Sequence, residues 1–331
     1  MSTRRHKPKD PRSAALRRFG LSITVLTVVG HTLLGFEQAY LTPVTAVLVA
    51  LSTELFLETL DALAQRRRPR YRASAGEVVD FLLPAYIGGL ACAMLLYANS
   101  ELMPTVLAVV IAVASKYLVR VRVKGRLRHV LNPSNTGIVA VLLLFPWVSI
   151  APPYQFTEWT GGFVDGLIPL LLLGAGTMLN GKLTKKLPLI AGWVGGFLVQ
   201  AVARAAITDI SLVSALLPVT GTAFILFTNY MITDPSTSPS KPRNQALFGL
   251  ATAATYGLLV QFHVVFGLFF ALVGVCALRG AFLAVQSWLP KTANEPVALA
   301  VPSTVPVPSI PEQTSSAEDA GLAASVGSER V

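Results

Sequence analysis

The sequence predicts an all-α integral membrane protein of about ten transmembrane helices, with both termini in the cytoplasm, on three observations. First, 53% of the 331 residues are hydrophobic and only 13% are charged, with a mean hydropathy of +0.60, more apolar surface than one soluble core can hide. Second, apolar runs with short breaks fill the chain from Phe19 to about Phe282. A helix crosses the hydrocarbon with roughly 20 such residues, which leaves room for about ten crossings, and the runs are continuous where a transmembrane barrel would alternate over short segments. Third, the net charge of +10 gathers at residues 4–18, 66–72, 116–128 and 182–186 and at Lys241 with Arg243. Each cluster follows an even number of crossings, so the positive-inside rule places all five in the cytoplasm and only Arg204 near the outer face. Charge scattered over loops in this way argues against nucleic acid as a partner and makes the lipid bilayer the first one.

Residues 1–18 form a basic cytoplasmic start, and no small-residue cleavage site follows the first apolar run, so that run is expected to remain as a helix at 19–36. The remaining breaks predict helices at 40–64, 78–98, 102–119 and 131–150 in the first half. In the second half they predict helices at 164–180, 187–206, 212–232, 246–261 and 262–283, the last two joined by a tight turn near Gln261 and His263. The membrane domain thus covers 19–285, and its length is compatible with an inverted duplication of five plus five helices. Residues 286–331, rich in Pro, Ser, Ala and Val from Pro290 onward, carry no helical or strand period and are expected to be a disordered cytoplasmic tail.

Four groups of residues are candidates for chemistry. Glu54, Glu58 and Asp61 stand at i, i+4 and i+7, on one face of the second helix. Carboxylates at that depth are costly unless paired or wetted. They are either a proton or cation path or the ion-pair partners of the following Arg-rich segment or a neighbouring helix. Asn132, Pro133, Ser134, Asn135, Thr136 and Gly137 open the fifth helix, as a helix cap or, with Arg126, Arg128 and His129 beside them, as an anion site. Gly174, Gly176, Thr177, Asn180 and Gly181 make a breaker-rich stretch suited to tight helix packing or to a ligand-lined helix break. The fourth group is the most informative: after Thr228 and Asn229, the residues Asp234, Pro235, Ser236, Thr237, Ser238 and Pro239 form a rigid, hydroxyl-rich turn. Cys92 and Cys276 form no C-x-x-C pair, so they read as small buried hydrophobes and no metal site is suggested.

At Tyr230, Met231, Thr233, Asp234, Pro235, Thr237, Ser238 and Pro239 the chain resembles the RnfD and NqrB family, the membrane subunits of the bacterial Rnf complex and the sodium-pumping quinone reductase. Two further stretches are similar to that family. One is the Asn132-Pro133 helix start with Gly137 and the later Phe145-Pro146; the other is the glycine-rich stretch that ends at Gly195-Gly196. The resemblance covers roughly residues 75 to 285 and implies a ten-helix fold in the bacterial inner membrane, an electron-transfer setting, redox partner subunits, and flavin or quinone as cofactor. The family's covalent FMN sits on the Thr of a Ser-Gly-Ala-Thr motif. Between Pro146 and Gly174 this chain offers only Thr157 and Thr160, neither in that motif, which argues against covalent attachment. The start of the fifth helix and the segment 151–159 look closer to stand-alone actinobacterial relatives of the UnbU type, which would imply work beside an enediyne biosynthetic enzyme.

Two functions follow as expectations. The first is an electron-transfer component that holds FMN, riboflavin or a quinone non-covalently. Its loop is fixed by Asp234, with Thr237 and Ser238 on ring carbonyls or phosphate and Arg126 and Arg128 on phosphate. The second is a transporter for a small solute or ion, because the implied ten-helix architecture resembles that of urea transporters. A scaffold that only anchors other enzymes is the third reading and explains the polar intramembrane residues least well.

Overall fold

A computed structural model describes residues 11–123, 126–152, 156 and 159–288 of the chain. Thr157 and the expected tail from Pro290 onward lie outside the described residues. The protein is a helical membrane protein: among the described residues five helices are long and apolar enough to cross a bilayer, six if one bent pair counts as a single span.

In the first half the helices are α1 (Pro11–Thr32), α2 (Leu41–Ala64), α3 (Ala75–Leu95), α4 (Met103–Leu118) and α5 (Pro133–Leu144). The helix α3 starts where Ser74 and Glu77 form a reciprocal capping box. Pro sits in the first turn of α4 and α5, where the missing N–H costs nothing. The predicted helix at 131–150 is corrected to the 12 residues of α5. Phe145 precedes Pro146, whose ring forces it out of the helical region to φ −123°, ψ 95°. The chain beyond is extended, and β4 (Ser149–Ile150) pairs antiparallel with β1 (Leu96–Tyr97), which also ends α3 earlier than predicted. Between α4 and α5, β2 (Arg120–Val123) and β3 (Arg126–His129) make an antiparallel ribbon.

The second half contains α6 (Phe163–Leu179), α7 (Leu187–Ile207), α8 (Leu212–Leu216), α9 (Thr222–Leu226), α10 (Pro242–Gln261) and α11 (Gly267–Trp288). The single helix predicted at 212–232 is instead broken, its two arms meeting at 64°. Pro218 and the extended Gly221 between the arms explain the break. A π turn follows α6 at Asn180–Thr184, and a second follows α9 at Phe227–Met231. The expected tight turn before α11 is present, with His263 and Phe266 at φ 58° and 60°.

Small residues let the backbones approach closely, as membrane helices require when lipid supplies no hydrophobic drive. Gly192 of α7 lies against the backbone of Ala246, and Gly249 of α10 against Leu189 and Trp193. On the other side Gly137 of α5 meets the carbonyl of Ala108 in α4. An aromatic cluster of Trp193, Phe197, Phe224, Phe227 and Tyr256 fills the space inside the α7–α10 pair, with ring centroids 4.9 Å apart for Phe197 and Phe224. This core holds the broken helix in place.

Candidate functional site

The start of α5, the two π turns and the Asp234 loop converge. Asn132 caps α5 by accepting from the backbone N–H of Asn135 at 3.1 Å, and its Nδ2 donates to the carbonyl of Met231 at 3.1 Å, at the end of the second π turn. Asn180 donates from Nδ2 to the carbonyls of Gly176 (2.9 Å) and Asn229 (2.7 Å), which joins the first π turn to the second. Gly176 makes this possible, since a Cβ there would fall 2.5 Å from the Asn229 side chain. Backbone freed from regular helical bonding is tolerated at membrane depth only where it is buried in protein or lines a cavity, and π turns concentrate at functional sites.

A cavity of about 990 Å³ lies against this junction. Asn132, Ser134, Asn180, Asn229, Asp234 and Ser236 line its polar end, with Lys116 and His129 beside them. Its walls are apolar and come from α1, α3 and α6, with Phe19 stacked on Tyr230 at a centroid distance of 5.7 Å. The volume is at the upper end of the range for sites that enclose a ligand of drug size. Asn229 Oδ1 is buried without a hydrogen-bond partner among the described residues, while its Nδ2 donates to the carbonyl of Ile225 at 3.3 Å.

Asp234 organises the loop. Its Oδ1 accepts from the backbone N–H of Ser236 at 3.0 Å and from the Ser236 hydroxyl at 2.6 Å, its Oδ2 accepts from the Thr237 hydroxyl at 2.9 Å, and its carbonyl accepts from the Ser238 hydroxyl at 2.6 Å. The Thr237 and Ser238 hydroxyls therefore turn into the loop, and neither residue lines the cavity. Asp234→Ala is expected to cost about 3 kcal/mol, the worth of a charged acceptor serving several donors. Thermal unfolding in detergent checks this, with Asp234→Asn, which keeps one acceptor oxygen, falling in between.

Two cations clamp the same loop from outside. Lys186, 3% exposed at the start of α7, donates from Nζ to the Pro239 carbonyl at 2.6 Å, and Arg279 of α11 donates to the Thr237 carbonyl at 2.7 Å. Burial pushes the Lys186 ammonium down to about 8, against the pull of Asp234. The unfolded chain then binds the extra proton between about pH 8 and 10.5, so this group makes stability rise with pH across that window. The wild type is expected to gain in unfolding temperature relative to Lys186→Met as pH is raised from 7.5 to 10. Both cations escaped the candidate set, although a single Arg inside the apolar run of α11 is a recognisable signal.

The remaining candidates lie elsewhere. Thr228 accepts from the indole N–H of Trp193 at 2.9 Å in the aromatic core, Asn135 donates to the Phe269 carbonyl at 3.0 Å, and Thr177 does not line the cavity. Arg128 is exposed on the ribbon, and the side chain of Arg126 lies outside the described residues. Arg128 does not line the cavity, although His129, next to it on β3, does. Thr160 bonds to Asp165.

The three carboxylates of α2 are all ion-paired. Glu54 meets Lys116 and accepts from the Tyr117 hydroxyl at 3.0 Å; Glu58 meets Arg67 and accepts from the Arg70 N–H at 3.0 Å; Asp61 meets Arg67 at 2.6 Å and Arg120 at 2.9 Å. The hydrogen bond to Glu58 holds the Arg67 guanidinium above its ordinary range. This network ties α2 to the loop after it and to α4 and β2, and it borders the cavity through Lys116. Comparison with protein-family models finds no match for the chain, and comparison with curated proteins finds none.

Proposed function

We propose that the protein is a membrane electron-transport component that holds a flavin or quinone non-covalently in the cavity at Asn132, Asn180, Asn229 and Asp234. The observation that carries this reading is the convergence of three separate sequence stretches on one apolar-walled cavity: the α5 start, the glycine-rich break and the Asp-Pro loop. They are the three stretches in which the chain resembles the RnfD and NqrB family. A ten-helix, N-in/C-in arrangement in a bacterial inner membrane goes with it, supported by a helical segment at each of the ten predicted places.

The residues fit a neutral ring better than a phosphate. Asn132, Ser134, Asn180 and Ser236 line the cavity with uncharged hydrogen-bonding groups. Of the described lysines and arginines, Lys116 alone lines the cavity, and Glu54 neutralises it, while Asp234 adds negative charge. Riboflavin or a quinone suits this better than FMN. When bound, such a ring would accept and pass electrons. The chain's own residues exclude water with the α1, α3 and α6 walls, offer the ring edge the polar lining of Asn132, Ser134 and Ser236, and hold the Asp234 loop rigid. Work beside a biosynthetic enzyme remains part of the proposal.

Absorbance and fluorescence spectra of the detergent-purified protein, before and after acid denaturation, test this. Release of flavin, or co-extraction of a quinone that a dithionite step bleaches, is the expected result. A colourless, quinone-free protein would count against it. One observation favours a second reading, a small-solute or ion transporter. Asn132 joins the start of one short helix to the end of a broken one, an arrangement found where transporters bind solute. Solute uptake into liposomes without a redox partner would support that reading.

A further inference from the structure

The cavity opens in a particular direction. Leu21 and Val25 of α1 and Leu171 of α6 line it, yet they are 66%, 52% and 61% exposed. A side chain that lines a cavity and remains mostly exposed marks its mouth. All three lie inside apolar segments long enough to span a bilayer, Ser13–Thr32 and Phe163–Thr184. A mouth onto water would carry polar side chains, because aliphatic rims there expose apolar surface at a cost. On α1 and α6 this mouth is aliphatic but for Ser22 and lies at membrane depth, so hydrocarbon is what it faces there, while the exposed Pro235 marks a further edge of the cavity at the Asp234 loop. Asn132, Ser134, Asp234 and Ser236 supply polar lining, and the lining cation Lys116 is already paired with Glu54.

We propose that the cavity takes a bilayer-dissolved amphiphile with an aliphatic tail and an uncharged, hydrogen-bonding head, and that it enters sideways between α1 and α6. The tail lies against the α1 and α6 aliphatics and the head reaches the Asp234 and Asn132 end. An anionic head is disfavoured, since it would be buried beside Asp234 with no free cation among the described lining residues. The inference rests on the cavity as the working site and holds whether the occupant carries electrons or is moved.

Photolabelling of the full-length protein in lipid nanodiscs tests it. The probes are a monoacylglycerol with a diazirine in its tail and the matching diazirine fatty acid at pH 8. The expected result is monoacylglycerol labelling of α1 and α6 around Leu21–Leu26 and Leu171–Leu179 that unlabelled monoacylglycerol competes away. The fatty acid is expected to label about tenfold less, as burying an unpaired anion requires. Val25→Trp, which plugs the mouth without entering the core, is expected to lower labelling by a similar factor, and Val28→Trp, on the same helix but off the cavity lining, to leave it unchanged. Labelling that does not saturate, ignores Val25→Trp, or is as strong with the fatty acid would overturn the proposal. Saturable labelling in a preparation without flavin or quinone would uphold it while removing the electron-transport reading.

Discussion

Gly249→Ala is expected to prevent recovery of folded protein after detergent extraction. A Cβ on Gly249 would stand 2.4 Å from the Leu189 carbonyl oxygen and 2.5 Å from the Trp193 nitrogen. Both are backbone atoms, so no flexible side chain can give way and the helices α7 and α10 must part. Overpacking a core costs about 1–3 kcal/mol where side chains can adjust, and more where they cannot. The seam carries Trp193 and, behind it, the aromatic cluster that supports the broken helix, so parting it also loosens the second π turn and the cavity. Gly195→Ala is the matched control on α7, because nothing lies within 4 Å of the added methyl. Size-exclusion profiles of the two variants in detergent are expected to differ sharply, with Gly195→Ala monodisperse and Gly249→Ala aggregated or absent.

Glu58→Ala is expected to destabilise the protein by about 3 kcal/mol, the lower end of the cost of removing one partner from a buried ion pair. Glu58 is 0% exposed and receives Arg67, the Arg70 N–H and the Arg70 guanidinium at 3.8 Å. Loss of its carboxylate strands Arg67 only partly, since Asp61 still holds it, which is why the lower figure applies. Glu58→Gln keeps an acceptor for the Arg70 N–H and is expected to fall between wild type and Ala in unfolding temperature. A proton or cation path would give another pattern, in which Glu58→Gln changes the ion dependence of activity and leaves stability intact.

The fold was legible wherever local chemistry sets it. The Ser74–Glu77 box and the Pro residues at helix starts locate α3, α4, α5 and α10 to within a few residues of the apolar runs. Phe145-Pro146 and the Pro218 to Gly221 stretch also held the evidence against the long helices predicted at 131–150 and 212–232, but hydropathy continues across both breaks and hides them. The β2–β3 ribbon was written in the alternation of Arg120, Val121, Arg122 and Val123, a period-two signal that reads as mere positive charge when only charge is counted. The site was half legible. Asn132, Asn180, Asn229 and Asp234 carry their local roles in the sequence as caps and turn residues. Their meeting depends on Asn132 reaching Met231, 99 residues away, and Asn180 reaching Asn229, 49 away. The partners of Glu54 and Asp61 on α4 and β2 lie 62 and 59 residues away, and no periodicity encodes them. Thr237 and Ser238 drew attention for their hydroxyls, and those hydroxyls serve the loop itself.

By the function proposed above, this protein holds its ligand in the cavity at the joined helix ends. Mass spectrometry of the organic extract from nanodisc-purified wild type and Val25→Trp protein tests it most directly. About one equivalent of a neutral ring compound, a flavin or an isoprenoid quinone, is expected with the wild type, and loss of the quinone, the one that enters from the bilayer, is expected in Val25→Trp, a variant that otherwise folds. Identical extracts from the two proteins, containing only bulk phospholipid, would contradict it.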